Sequence, residues 1–498
     1  MSWNASLPLL VLASSLVPGL IIFCLPEEKQ RTRTTLNLVG VLLKLALVTF
    51  MVWGVQQGEH YETRIPLLPG LDFVLRADAL SMFFALLSAV LWLATTIYAI
   101  GYLEDSPHRS RFFGFFSLCV TATLGVALAG DMITFLLFYE MLTLATYPLV
   151  VHRGTEAALR AGNVYLAYTV TGGALLLAGM VWLHTLSGPL EFTANGFLAG
   201  LARDHAAALV AIFVLLIAGL GVKAALVPFH GWLPQAMVAP APVSALLHAV
   251  AVVKAGAFGI IRVIHDVYGI ELAAELALTG PLAGLAALTI IYGSLQALLQ
   301  NDLKRRLAFS TVSQVSYVAL GIAIAGPVAT IGGIVHLVHQ GLMKITLFFC
   351  AGNLAETLGI HKVTEMRGVG RRMPWTMAAF TVGALGMIGV PPIAGFVSKW
   401  YLGNGAVAAG ANWVVAVLAT SSLLNAMYFL PILHRAWFRE PDGEWTQKAA
   451  PRRLEIHWML LLPPVLTAVL SVLAGLLADA PFSPLEWARR IAVKEYLQ

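Results

Sequence analysis

Four lysines lie within apolar stretches of the sequence, where a charged side chain is unusual. Lys223 belongs to "GVKAALVPFHGWLP", Lys254 to "LLHAVAVVKAG", Lys344 to "GGIVHLVHQGLMKITLFF" and Lys399 to "GVPPIAGFVSK". An isolated lysine at the centre of a bilayer costs about 2.5–3.5 kcal/mol on insertion scales. Low-dielectric surroundings disfavour the ammonium form, so such a side chain can release a proton as well as hold one. Lysine offers donors only and cannot coordinate Na+, so the pattern predicts protons as the mobile charge.

A single acidic residue, Glu140 in "TFLLFYEMLTLATYPLV", lies well inside an apolar stretch. It is the expected counter-charge of Lys223, because a buried pair offsets part of the cost of burying each charge. One alternative is a fixed ion pair that only holds two helices together. That alternative accounts for the charges but not for the proline five residues after Lys223, and we therefore expect proton transfer at Lys223, with Glu140 tuning its proton affinity.

Histidines add further titratable groups to the same stretches. His336 and His339 lie on one helix face with Gln340 and Lys344, at spacings of three and four residues. His248 lies six residues before Lys254 and points to a different face, which also suits a hydrogen-bonded core residue. Histidine titrates near neutrality, so we predict a polar axis that joins His248, His336, His339 and Lys344. No third ligand of suitable type is close in sequence, and we predict no metal site.

The composition places the chain in a bilayer. Hydrophobic residues make up 59%, charged residues 11%, and the mean hydropathy is +0.81, whereas soluble domains carry about 25% charged residues. The net charge of +5 comes from short loops, which excludes a nucleic-acid footprint. Cys24, Cys119 and Cys350 are far apart, so neither disulfides, an iron–sulfur cluster nor another cofactor is expected.

Apolar stretches of spanning length recur along the whole chain, and we predict an all-α polytopic membrane protein with about fourteen transmembrane helices. The first stretch lacks a basic leader and is interpreted as a helix, not a signal peptide. The predicted spans are 5–25, 35–56, 79–101, 111–129, 132–151, 162–185, 207–228, 243–265, 280–299, 306–325, 328–352, 376–402, 409–433 and 457–478.

Loop charges predict the orientation. Most loop lysines and arginines fall in the odd-numbered loops, including Lys448, Arg452 and Arg453 after the thirteenth span. The positive-inside rule then places those loops in the cytoplasm and both termini outside, in a bacterial cytoplasmic (inner) membrane.

Two cations remain apart from the proposed axis. Arg262 lies near a helix end and is expected to snorkel, whereas Lys44, in the second span, has no recognisable partner.

Two spans are interrupted by proline. Span seven breaks at Pro228 and span twelve at Pro391 and Pro392, with a glycine and an aromatic residue after each break. Paired interruptions five helices apart indicate inverted repeats with a site at their interface. Within a single membrane domain, residues 1–498, we predict N-terminal helices 1–3 (1–101), a first repeat of helices 4–8 (111–265), an inverted second repeat of helices 9–13 (280–433) and helix 14 (457–478).

From about Asp78 to about Phe438 the chain resembles the antiporter-like subunits of respiratory complex I and of multisubunit Na+/H+ antiporters. The motifs that carry the resemblance are "FYEMLTLATYPLV", "VKAALVPFHGWLPQAMVAPAPVSALLHAVAVVKAG", "LKRRLAFSTVSQVSY" and "GVPPIAGFVSK". The resemblance implies two proton half-channels joined by a central hydrophilic axis. It implies proton-transfer roles for Glu140, Lys223, Lys254 and Lys399, and connecting roles for His336 and His339.

The D subunit of the multisubunit antiporter is the nearest resemblance, because only about twenty residues follow span fourteen and leave no room for the long lateral helix of the largest paralogues. The alternative is a proton-pumping subunit of a complex I-type NADH:quinone oxidoreductase or membrane-bound hydrogenase, so enzyme status stays open. A stand-alone solute transporter and a structural scaffold are the remaining alternatives. Expected partners are related antiporter-like subunits, other subunits of a hetero-oligomeric membrane complex, lipid, protons and possibly Na+.

Overall fold

The computed structural model describes residues 3–68, 71–103, 106–441 and 455–496, so the predicted loop cations Lys448, Arg452 and Arg453 lie outside the described residues. Helices dominate. In chain order they are α1 (Trp3–Phe23), α2 (Gln30–Gln56), α3 (Ala79–Tyr102), α4 (Arg109–Leu128), α5 (Met132–Val150), α6 (Glu156–Ser187), α7 (Ala202–Lys223), α8 (Trp232–Gln235), α9 (Ala241–Ala249), α10 (Val252–Arg262), α11 (Ile270–Glu275), α12 (Thr279–Leu299), α13 (Leu303–Ala323), α14 (Pro327–Leu358), α15 (Val369–Arg372), α16 (Pro374–Ile388), α17 (Ala394–Ala408), α18 (Trp413–Phe438), α19 (Trp458–Leu476) and α20 (Pro484–Tyr496).

The membrane-spanning helices match the predicted spans. Within the described residues, 12 helices are long and apolar enough to cross a membrane, with α9, α10 and the π-helical turn Val263–Tyr268 counted as one. Two further elements coincide with the remaining predicted spans: α13, which is rich in polar residues, and the pair α16 and α17, which divides one span in two. The predicted polytopic all-α class is confirmed.

Short polar side chains fix where several of these helices begin. The carboxylates of Asp78, Asp131 and Asp302 accept hydrogen bonds from backbone N–H groups at 2.7, 2.6 and 2.8 Å, at the starts of α3, α5 and α13. A capping carboxylate satisfies an N–H group that has no partner inside the helix. Such a cap matters more in a bilayer than in water, because an unpaired backbone N–H group in the bilayer has no water molecule to which it can donate.

Two helix breaks lie near the prolines that predict them, one after α7 and one between α16 and α17. α7 ends at Lys223, five residues before Pro228, because Ala225 adopts a left-handed conformation with φ of +56°. The predicted span to residue 228 was therefore too long. The indole of Trp232, at the start of α8, donates to the carbonyl of Val222 at 2.8 Å and holds the two sides of the break together.

A third break was missed. The prediction for 243–265 was one continuous helix, but Val250 and Ala251 leave helical geometry between α9 and α10, with φ and ψ of −127° and −53° at Val250. Neither residue is proline or glycine, so the sequence carries no local signal for the break. Its consequence is that His248 and Lys254 lie on two separate helical segments.

A β-hairpin lies where no element was predicted. Strands β1 (Tyr61–Leu68) and β2 (Leu71–Ala77) pair antiparallel between α2 and α3. Gly130 N–H donates to the Val74 carbonyl at 2.8 Å, and Val74 N–H donates to Thr134 Oγ1 at 2.9 Å. The hairpin is therefore fastened directly to the start of α5.

The centre of the molecule is formed by α14 and by the α9–α10 span, whose apolar windows are completely buried. α14 packs against α9, α13, α16, α17 and α19. The amphipathic helix α20, which the sequence analysis did not predict, covers α14 and α3 through buried Leu485, Ala488 and Ile491. Polar residues carried by α14 are thus shielded from lipid on every side.

Candidate functional site

Lys223 and Glu140 lie together, as the sequence predicted. Lys223 Nζ is 3.9 Å from Glu140 Oε1, and the lysine side chain is completely buried whereas the glutamate is 34% exposed. The ammonium also lies 3.3 Å from the centre of the Tyr139 ring and donates to the Tyr139 carbonyl. The lysine is thus held by a ring face, a carbonyl and a carboxylate, while Glu140 Oε1 accepts no hydrogen bond among the described residues.

The surroundings of Glu140 explain its partial exposure. A Cβ at Gly173 of α6 would come within 2.4 Å of Glu140 Oε1, so only glycine leaves room for the carboxylate there. On its other side Glu140 lines an apolar surface groove of about 440 Å³ together with Leu137, Met141 and Leu144. One carboxylate therefore faces both the buried lysine and the outer surface of the helix bundle.

Lys254 is buried on α10, and its Nζ has no hydrogen-bond partner among the described residues. α10 approaches the end of α7 very closely, since a Cβ at Gly256 would lie 2.3 Å from the Ala224 nitrogen. Lys223 and Lys254 are therefore carried by two helices in backbone contact. An unpaired buried amine beside a broken helix is where a polar axis needs a titratable group.

His248 and Lys344 each find partners on α13. His248 Nδ1 lies 2.9 Å from Thr311 Oγ1, and the imidazole stacks on Phe348 with ring centres 4.5 Å apart. Lys344 Nζ donates to the Leu307 carbonyl at 3.1 Å and to the Ser310 hydroxyl. Both side chains are fully buried, and α13 supplies hydroxyl groups to each.

His336 and His339 differ in their contacts. His336 Nδ1 lies 2.8 Å from Ser398 Oγ, and its ring is 5.2 Å from that of Tyr317. His339 and the neighbouring Gln340 are fully buried, and the polar atoms of their side chains have no hydrogen-bond partner among the described residues. Buried polar groups are normally hydrogen-bonded, so this part of α14 carries polar groups that the described protein residues leave unsatisfied.

Lys399 ends the series at the second helix break. Its Nζ donates to the carbonyls of Met387 and Ile388 at 3.0 and 2.8 Å and to Ser422 Oγ at 2.9 Å. Those carbonyls belong to the last turn of α16, where no intrahelical donor reaches them. The broken helix thus supplies the acceptors for the lysine that follows it.

Electrostatic proximity joins most of these groups into one row. Lys254 and Lys399 both lie close enough to His336 to interact with it electrostatically. The same holds for Lys254 with Lys344 and for Lys344 with His248. Lys223 joins this row through the contact of α7 with α10, not through a side-chain bond. The structure thus buries the predicted lysines of α7, α10 and α14 and the predicted histidines, and leaves Glu140 partly exposed beside Lys223; we refer to these residues and their direct partners as the polar layer.

Several residues of this layer were missed from the sequence. Tyr139, Ser310, Thr311 and Ser398 bind the predicted lysines and histidines directly. A signal existed in "STVSQVSY", where Ser310, Thr311, Gln314 and Tyr317 recur at three- and four-residue spacing on α13. Such a polar stripe in a spanning helix predicts a buried polar face.

Arg262 corrects another expectation. It does not snorkel to the surface but is buried, 3% exposed, with Nη2 2.7 Å from Asp78 Oδ2 and Nη1 2.8 Å from Asp266 Oδ2. Two carboxylates from different parts of the chain meet it, and this pairing across the fold could not be read from the local sequence. In the described residues there is no group of three or more histidine, cysteine, aspartate and glutamate side chains arranged to hold a metal.

Two family profiles match the chain. Residues 129–425 match the family described as NADH:quinone oxidoreductase/Mrp antiporter, TM, and residues 70–113 match NADH-ubiquinone oxidoreductase (complex I), chain 5 N-terminus. The first match contains Glu140, Lys223, Lys254 and Lys399, and it alone covers more than half of the chain.

Individual relatives point the same way. The chain is 34% identical over 443 residues to NADH-quinone oxidoreductase subunit N of Desulforudis audaxviator, covering 87% of each chain. It is 28% identical over 447 residues to the D subunit of the Na(+)/H(+) antiporter of Bacillus subtilis, covering 89% of this chain and 87% of the relative. Its fold is similar to a chain of the Mrp complex from Dietzia sp., with a TM-score of 0.87, 22% identity and coverage of 100% and 98%. The chain therefore belongs to the family of membrane subunits shared by NADH:quinone oxidoreductases and Mrp antiporters.

Proposed function

We propose that this chain is a proton-translocating subunit of a multisubunit monovalent cation (Na+)/proton antiporter. The observation that carries the proposal is the buried Lys223 beside Glu140 at the end of a broken helix, continued by a row of buried amines and imidazoles. A helix break is tolerated inside a membrane only where it is buried or lines a cavity. Charges with a purely structural role would not require a row of neighbouring titratable side chains.

In this proposal, protons enter at the pair formed by Lys223 and Glu140. A proton that leaves the Lys223 ammonium passes towards Lys254, and loss of that charge weakens the hold on the Glu140 carboxylate. Lys254, His336 and Lys344 accept and donate protons in the centre. Lys399 exchanges its proton at the second break, where carbonyls and a hydroxyl hold the amine.

A second function uses the same residues: a proton-pumping subunit of a complex I-type oxidoreductase or membrane-bound hydrogenase. It is favoured by the 34% identity to NADH-quinone oxidoreductase subunit N, against 28% to the D subunit of the antiporter. In that case electron transfer in other subunits supplies the energy, and this chain performs no redox chemistry itself. The two functions differ in whether proton movement requires Na+ or an electron donor.

The proposal includes an assembly and an orientation. The chain assembles with related antiporter-like subunits in a bacterial cytoplasmic membrane, with both termini outside, as loop charges favour. Residues 111–265 and 280–433 form the two inverted repeats, one for each half-channel. Supporting this division, a lysine lies beside each break: Lys223 is the last residue of α7, and Lys399 follows the second break and donates to carbonyls at the end of α16.

The test is proton flux in membrane vesicles that carry the complete complex. We expect Lys223→Ala and Glu140→Ala each to reduce Na+-dependent proton movement by roughly 10²-fold, as is typical when a proton-transferring side chain is removed. Adding quinone and NADH without Na+ distinguishes the second function, which predicts electron-driven proton movement that the same substitutions abolish.

The matched controls are Lys362→Ala and Glu156→Ala, because both side chains are exposed at loops or helix ends. They are expected to leave the flux unchanged. Complex assembly is checked for every variant by blue native electrophoresis. Wild-type flux in both Lys223→Ala and Glu140→Ala complexes would show that this pair is structural and would refute proton transfer through it.

A further inference from the structure

Lys44 is a fully buried lysine that lies outside the polar row described above. It is carried by α2, and its side chain is 0% exposed. Its contacts among the described residues are the Ser15 hydroxyl, to which Nζ donates, and the Trp92 ring, whose centre is 4.7 Å away. A buried charge is normally paired with an opposite one, so a purely structural role leaves this lysine without an explanation.

Other polar groups surround Lys44. Ser15 Oγ lies 2.7 Å from Thr121 Oγ1, which links α1 to α4. On α3, Trp92 Nε1 is buried without a hydrogen-bond partner among the described residues, and so are the hydroxyls of Ser88 and Thr96, one turn to either side. Polar side chains of four helices therefore meet in one buried cluster around Lys44.

Buried polar side chains continue from this cluster along one face of α2 towards the start of the helix. Asn37 lies two turns before Lys44 on the same face, is 2% exposed, and has no hydrogen-bond partner for either side-chain polar atom in the described part of the chain. One turn earlier, Arg33 donates to Ser110 Oγ at 2.9 Å and to the Glu27 carbonyl at 3.2 Å. Beyond Lys44 the same face carries only apolar side chains such as Val48.

The depth of this polar face follows from helix geometry. At about 1.5 Å per residue, Lys44 lies ~21 Å from the start of α2. α2 has 27 residues and is therefore ~40 Å long, close to the ~40–45 Å of a bilayer with its polar regions, so Lys44 lies near mid-membrane. The polar face thus leads from one surface to mid-membrane and stops there.

Buried polar groups with no protein partner are the usual ligands of internal water. We propose that Lys44 is a second proton-binding site, reached by internal water through Asn37 from the membrane face at Arg33. This site is distinct from the row that begins at Lys223, and it rests on the proposed function only in that the complex moves protons.

The helices that surround Lys44, α1, α3 and α4, carry no carboxylate that could serve as its counter-charge. Helices α1 and α3 contain no charged residue, and α4 carries its two arginines in the first turn. The other titratable groups point elsewhere: Tyr98 donates to the Phe349 carbonyl, and the Cys119 thiol bonds to Thr146. A cation is stabilised there by the Trp92 face and a hydroxyl alone, which suits reversible binding of a proton better than a permanent charge.

The first test replaces the amine by an apolar side chain of similar length. In the complete complex, Lys44→Met is expected to reduce cation-dependent proton flux by roughly 10²-fold if protons must use this group, and to shift the pH at which the remaining flux is half-maximal. If Lys44 only packs, methionine fills its space, because apolar replacements of buried charges are often neutral or stabilising. Unchanged flux with an unchanged pH profile would overturn the proposal.

The second test measures water access and does not depend on flux. In a Cys24→Ser background, Asn37→Cys is expected to react with a small charged methanethiosulfonate reagent in the assembled complex. The matched control Val48→Cys lies on the same buried face beyond Lys44 and is expected to stay unlabelled. Equal protection of both cysteines would refute the water path.

Comparison with Lys223→Ala separates the two proposals. Loss of flux in both lysine variants supports both sites. Loss only in Lys223→Ala overturns the Lys44 site and leaves the proposed function intact, whereas loss only in Lys44→Met supports the Lys44 site and refutes transfer through Lys223.

Discussion

At the scale of single residues, the lysines of the polar layer lie in different environments. Lys344 and Lys399 are bound by carbonyls and hydroxyls, which accept hydrogen bonds from an amine whether or not it is charged. Lys223 differs, because a carboxylate lies 3.9 Å away and favours the ammonium. The pair is therefore the point at which charge on one side chain controls charge on the other.

This geometry makes Gly173 a test of the pair without removing either charge. Gly173→Ala places a methyl group 2.4 Å from Glu140 Oε1, so the carboxylate must turn away from Lys223. We expect cation-dependent proton flux to fall about tenfold or more, corresponding to about 1.4 kcal/mol of lost interaction, as measured in vesicles.

A suitable control is Gly284→Ala on α12, where an added Cβ meets nothing within 4 Å. That substitution is expected to leave flux unaltered and to add slightly to helix stability. Should Gly173→Ala transport like the wild type, the position of Glu140 beside Lys223 would not matter for transport.

The charged side chains of the site and the pairing of Lys223 with Glu140 could be predicted at this scale, but the hydrogen-bond acceptors of the lysines could not. Lys223, Glu140 and Lys399 stand out because charge is rare in apolar sequence. The acceptors of their hydrogen bonds are mostly backbone carbonyls, such as those of Tyr139 and Met387. Every residue has a carbonyl, so tertiary packing alone decides which one is used.

At the scale of elements, the accuracy of prediction followed the local chemistry. The interruption between α16 and α17 could be predicted from proline, because proline removes a backbone donor. The interruption between α9 and α10 falls at Val250 and Ala251, both compatible with a helix, and is imposed by packing. The hairpin of β1 and β2 was overlooked because short strands outside the membrane are hidden among long apolar runs.

The hairpin is held by an ion-pair network that gives a pH prediction. Arg64 Nη1 lies 2.6 Å from Glu191 Oε1, and Arg76 bridges Glu191 and Glu62 at 3.0 and 2.8 Å. The hydrogen bond from Arg64 is the main cause that lowers the pKa of Glu191. A lowered pKa means that the stabilisation is complete above the unfolded value of about 4.3 and is lost as pH falls through the folded value.

We therefore expect amide protection of β1 and β2, corrected for intrinsic exchange, to be constant near neutrality and to drop below pH ~4. Glu191→Gln should lower protection already at pH 7, by an amount that corresponds to about 1 kcal/mol or less for partly exposed pairs. Glu275→Gln, at an exposed position of α11, is the control. Equal protection in Glu191→Gln and wild type at pH 7 would contradict a role for the network.

At the scale of the whole molecule, the order of the spanning helices was confirmed, because hydropathy reports directly on burial in lipid. What hydropathy cannot supply is which helices lie at the centre. α14 and the α9–α10 span are buried on all sides, yet the α9–α10 span is as apolar as α12, half of which is not buried.

The native cysteines test the proposed orientation without any engineering. Cys24 is exposed just after α1, in a loop that the positive-inside rule places in the cytoplasm, whereas Cys119 and Cys350 are buried. A membrane-impermeant maleimide is expected to label the protein in inverted vesicles and not in right-side-out vesicles. Cys24→Ser should remove the labelling, and labelling confined to right-side-out vesicles would reverse the orientation.

The attachment of the hairpin to the start of α5 has a consequence for the rate of transport. Contacts of Val74 with Gly130 and Thr134 prevent α5 from sliding along its own axis, and Glu140 lies only ~12 Å further along that helix. Changes at Glu140 are then limited to rotation of its side chain, which takes picoseconds to nanoseconds, whereas shifts of whole helices take microseconds to milliseconds. Under the proposed function, the change at Glu140 that accompanies proton arrival is therefore a side-chain rotation, which is faster than any step that shifts a whole helix.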